Sequence, residues 1–127
     1  MKKVFFITII VSLLNSCSSS DENPDMIIGQ WQMIERYESD LSVDVGCSQY
    51  YYTEFKSNNE LLGGYIDSNN TPAECSSIFD LSLWRRSGGD YEIYSSPNDV
   101  QSIAYFQGDN LVIEPTSANY RWVYQRL

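Results

Sequence analysis

Enzyme chemistry needs groups that move protons or attack bonds, and this chain is poorly stocked with them. It has no histidine. That removes the commonest general base, the Ser-His and Cys-His nucleophile pairs, and imidazole metal sites. Seventeen carboxylates are present, and a pair of carboxylates can hydrolyse a glycoside. At that density close pairs arise by chance, so they carry no specific signal. Asp67, Ser68, Asn69, Asn70 and Thr71 gather oxygen ligands in one loop. They lack the spacing and terminal glutamate of a calcium loop and read as a plain turn. Gly63-Gly64 and Gly88-Gly89 are isolated pairs, suited to turns or bulges rather than to cradling phosphate. The expectation is a protein that is not an enzyme, with no catalytic residues, cofactor or metal.

The abundant resource is aromatic: ten Tyr, five Phe and three Trp. From Met26 onward apolar residues recur with period two, cut by Gly, Asn, Asp and Pro, and helical spacing is never sustained. This predicts strands at residues 29–38, 49–56, 60–66, 77–84, 90–95, 101–107, 110–114 and 120–126. Breaks at residues 57–59, 67–70, 87–89, 96–98 and 108–109 are short, and such turns join antiparallel neighbours. Residues 39–48 form the longest irregular stretch, a lid or corner loop. The fold class expected is all-β, a small antiparallel up-and-down barrel of about eight strands, with a β-sandwich as the alternative. Alternation along the strands selects Trp31, Tyr51, Phe55, Trp84, Tyr105 and Trp122 as inward-facing. An eight-stranded barrel is wide enough to be filled by side chains or to hold one small ligand. Filled, it is a scaffold acting through its loops and acidic surface; hollow, it is a carrier or sensor with Tyr51, Phe55, Trp84, Tyr105 and Trp122 lining the ligand. The short chain favours a filled or nearly filled barrel.

The start of the chain carries a different kind of information. Lys2 and Lys3 precede an uncharged apolar run at residues 4–14, the layout of a secretory signal and too short to span a bilayer. Leu14-Asn15-Ser16-Cys17 resembles the lipobox of bacterial lipoproteins, with Asn15 departing from the usual small or β-branched choice. The resemblance implies a signal peptide at residues 1–16 and a Cys17 that carries diacylglycerol and an N-acyl chain, enough for stable anchoring. Residues 17–25, with an acidic cluster, form a flexible tether, and residues 26–127 a single domain. Such a cluster after the lipidated cysteine resembles the surface-display signal of Bacteroidetes lipoproteins. The implied address is the outer membrane, facing the periplasm or the cell surface. With Cys17 assigned to lipid, Cys47 and Cys75 remain as an even pair in an oxidising compartment, read as a disulfide; two free thiols are the alternative. Two cysteines and no histidine cannot complete a zinc site.

Removing residues 1–16 takes Lys2 and Lys3 away, leaving six bases against seventeen acids, a net charge of −11. Such a surface disfavours nucleic acid and anionic lipid. Gly29-Gln30-Trp31 at the first strand, with Tyr124-Gln125-Arg126 on the last, resembles the Gly-x-Trp signature and closing arginine of lipocalins. The order of lipobox, tether, Gly-x-Trp, mid-chain Trp84 and terminal aromatic-x-Arg is similar to small lipocalin-like domains of Bacteroidetes lipoproteins. That resemblance implies a barrel floor of Gly29, Trp31 and Arg126, the guanidinium packed over the indole. The function it implies is a membrane-anchored, non-enzymatic binding or interaction module of the cell envelope, partnered by an envelope protein. Carriage of a small apolar ligand is the alternative.

Overall fold

The computed structural model of the chain describes residues 25–65, 71–75 and 80–127. The lipobox, the tether up to residue 24 and the oxygen-rich turn at residues 67–70 lie outside them. Among the described residues nine antiparallel strands form one sheet: β1 (Gly29–Glu38), β2 (Leu41–Val43), β3 (Tyr51–Phe55), β4 (Glu60–Tyr65), β5 (Leu81–Ser87), β6 (Asp90–Ser96), β7 (Asp99–Gln107), β8 (Asn110–Pro115) and β9 (Tyr120–Arg126). β1 pairs with β3 over Gly29–Gln32 and with β9 from Trp31 to Glu38, which closes β1 and β3–β9 into an eight-stranded barrel. β2 is an extra strand on the far half of β1. The fold is thus the small up-and-down barrel rather than a sandwich.

Tight turns make that meander. Gly88-Gly89, Pro97-Asn98 and Gly108-Asp109 each connect paired strand ends, Ser87 with Asp90, Ser96 with Asp99 and Gln107 with Asn110. The stretch at 39–48 is more ordered than expected. Ser39 and Asp40 both take positive φ, 49° and 65°, and turn the chain back so that β2 pairs Leu41 with Glu38. A short 3-10 turn, Gly46–Tyr50, follows. The two-residue turn escaped sequence reading because a positive-φ pair usually carries glycine or asparagine. The strand expected at 77–84 runs instead over Leu81–Ser87 within the described residues.

Side-chain size grades along the barrel axis. At one end, large rings follow one another across the interior: Phe55–Trp84, Trp84–Tyr91, Tyr91–Phe106 and Trp31–Phe106, with centroids 5.8 to 6.2 Å apart in tilted or edge-on contact. That arrangement suits the aromatic quadrupole. Ile27, Leu111 and Ala104, all fully buried, complete this packed half. Toward the other end the inward positions become small: Thr53, Gly63, Ser82 and Ser102. Strand alternation fixes these faces, because Thr53 pairs with Gly63, Leu61 with Ser82 and Ile93 with Ser102.

Candidate functional site

The closed end is organised around Gly29, Trp31 and Arg126, which the structure brings together. Trp31 is 1% exposed and its indole Nε1 donates to the Ile27 carbonyl at 2.8 Å. Arg126, opposite Trp31 across the β1–β9 seam, sets its guanidinium carbon 4.3 Å from the Trp31 ring centroid. Its Nη1 donates to the Ile28 carbonyl at 2.8 Å and its Nη2 to that of Met26. Gly29 is required twice over. Its φ is +137°, and a Cβ there would stand 2.6 Å from Arg126 Nη1. This end is a packed plug.

Phe55 and Trp84, expected to line a ligand, belong to that packed half. They are 1% and 2% exposed, and Trp84 Nε1 donates to the Lys56 carbonyl at 3.0 Å. Tyr105 requires a second correction. Ser102, Ala104 and Phe106 are the inward residues of β7, and Tyr105 stands on the outer face, where its hydroxyl donates to Glu114 at 3.0 Å. Burial and the nearby Glu114 carboxylate raise its pKa. Both faces of β7 carry apolar residues, so alternation alone selected the wrong one. The outer face of the neighbouring strands is also partly covered: Val112 and Val123 are buried there.

Tyr51 and Trp122 do line open space. Above the aromatic floor lies a cavity of about 300 Å3, walled by Thr53, Gly63, Ser82, Ser102, Trp122 and Tyr124 among others. Spaces of about 160 Å3 beside Tyr51 and about 260 Å3 beside Arg36 share its Tyr124 wall. Together they form a cup open to solvent. Gly63 helps hold it open by offering no side chain where the level below has Leu61. Tyr124 is 8% exposed, and burial pushes its phenol far up, opposed only by a hydrogen bond with Thr53. It remains a neutral hydroxyl.

Arg36 is the residue sequence reading missed. Strict alternation from Trp31 and Met33 would point Glu35 inward. A bulge at Ile34 inserts one extra residue, so Glu35 opposes Val123 on the outer face and Arg36 opposes Trp122 on the inner one. Arg36 Nη2 is held by Glu38 at 2.6 Å, and its buried Nε has no hydrogen-bond partner among the described residues. Nothing in the sequence marks the bulge.

The rim is cross-linked by a disulfide between Cys47, in the 3-10 turn, and Cys75, with Cα atoms 5.4 Å apart. Among the described residues no group of three acids or cysteines is placed to hold a metal, and no helix is long and apolar enough to cross a membrane. The cup offers hydroxyls, the Arg36 guanidinium, the Asp80 carboxylate and aromatic side chains. The chain matches no protein-family model and no curated protein.

Proposed function

We propose that this protein is a lipid-anchored, extracytoplasmic binding module that takes one small molecule into the open half of its barrel and does no chemistry on it. The observation that carries this reading is the cup of about 300 Å3 above a solid aromatic floor. It falls at the small end of ligand sites, in a barrel of the class that holds single ligands. The anchor follows from the resemblance of residues 14–17 to a lipobox, and places the domain at the outer membrane, facing periplasm or cell surface. The Cys47–Cys75 disulfide suits that compartment.

The binding test is a titration of the full chain with a panel of neutral saccharides, fatty acids, isoprenoids, haem and a hydrophobic dye. One member should quench Trp122 saturably, one ligand per chain, and Trp122→Phe should abolish the signal. A panel without a single saturable binder would refute the reading in favour of a scaffold that recruits an envelope protein. The anchor is tested separately by palmitate labelling in the native host. Cys17→Ser should remove both label and membrane association, and its failure to do so would sink the lipoprotein assignment.

A further inference from the structure

The cup is lined unlike a pocket for an aliphatic chain. We propose, resting on the binding reading above, that its ligand is a neutral carbohydrate of one or two rings, laid on Trp122 and hydrogen-bonded by Arg36 and the serines of the inner wall.

Three independent observations point to a polyhydroxylated ring. First, the inner wall presents Ser82 and Ser102 to the cavity, and neither side chain bonds another described group. An alkyl chain seated there would strip water from them and return nothing, whereas sugar hydroxyls both donate and accept. Second, Trp122 faces this wall across the cup, partly exposed and stacked on Tyr120 at 6.4 Å with 23° between the planes. A rigid indole held from behind offers its electron-rich face to the weakly positive C–H edge of a pyranose. Third, Arg36 is directly opposite Trp122 on the neighbouring strand. Glu38 grips one end of its guanidinium at 2.6 Å and fixes its orientation. Its Nε is buried without a partner among the described residues, and its Nη1 donates to none of them, which leaves donor capacity unspent where Arg36 meets the cup.

Charge then separates a sugar from an acid. Glu38 already neutralises Arg36, Asp80 adds a further carboxylate to the cavity wall, and the whole chain carries a net charge of −9. A carboxylate headgroup would enter against that field; an uncharged polyol would not.

The test is calorimetric titration of the full chain with glucose, galactose, mannose, N-acetylglucosamine and their disaccharides, alongside palmitate. Saturable binding of at least one saccharide is expected, with palmitate inert. Arg36→Met and Ser102→Ala should each weaken that binding about tenfold, the usual consequence of removing one hydrogen-bonding group from a site, with the melting temperature of each variant confirming that it folds. Deoxy analogues of the bound sugar should lose affinity to a similar or larger extent, since a site built around a hydroxyl rejects its absence. Saturable palmitate binding without saccharide binding would overturn the proposal while leaving the binding module standing. Saccharide binding indifferent to both substitutions would overturn it too, by placing the sugar elsewhere.

Discussion

The closed end makes a quantitative prediction about two residues far apart in sequence. Changing Gly29 to Ala has two costs. Backbone at φ +137° is nearly reserved for glycine, and holding an alanine there costs about 1–3 kcal/mol. The new methyl also occupies the place of Arg126 Nη1, 2.6 Å away, and must displace the guanidinium. Displacement forfeits two hydrogen bonds to backbone carbonyls and the contact with the Trp31 face. Because Arg126 is solvent-exposed, those interactions together are worth about 2 kcal/mol, toward the lower end of the ranges for such bonds and for cation–π pairs. Gly29→Ala should therefore destabilise by about 4 kcal/mol and Arg126→Ala by about 2 kcal/mol. Once the guanidinium is gone, adding the methyl costs backbone strain alone, about 2 kcal/mol. The double variant should thus fall about 2 kcal/mol short of additivity. Urea denaturation of the four chains, followed by tryptophan fluorescence at constant m, measures all of this. Additivity within about 0.5 kcal/mol, the behaviour of independent sites, would refute the claim that Gly29 is small because Arg126 needs its space.

Two further expectations concern the rim and the outer face. Reducing the Cys47–Cys75 bond, which spans 28 residues, should lower stability by about 3–4 kcal/mol on the chain-entropy account; an unchanged melting temperature in reductant contradicts it. Glu92 accepts a 2.6 Å bond from Arg85, which lowers its pKa from the ordinary 4.5. A lowered folded value means the stabilisation is present above the unfolded pKa and is lost as pH falls through the folded one. Glu92→Gln should accordingly flatten the acid limb of the stability curve below pH 4.5. Identical acid limbs in variant and parent are the adverse result.

Much of the barrel was legible because its punctuation is strong. β1 and β9 run over the residues expected of them, since Gly29 opens one, and the loop at residues 116–119 sets off the other. Legibility failed wherever the structure breaks period two or uses it ambiguously. Tyr105 and Phe106 are adjacent aromatics, and only the packing of Phe106 against Trp31 and Tyr91 decides which one is inside. The bulge at Ile34 reverses the parity of half a strand and brings Arg36 to the inner face beside Trp122. Ser82 and Ser102 gave no signal either, because an inward serine and an outward one look alike until their neighbours are placed. The expectation of a filled or nearly filled barrel describes the aromatic half and misses the small-residue half.

The seam between β1 and β9 has a consequence for how the chain reaches its working form. The first long strand and the last hold each other, from Trp31 with Arg126 to Glu38 with Tyr120. Their partners are separated by nearly the full length of the domain, so the decisive contact is the least local one the chain can make, and formation is correspondingly slow. Until β9 has been made, β1 has no partner along this seam, and an unpaired strand edge is the kind of surface that invites aggregation. Closure of the barrel therefore waits on the strand made last among the nine.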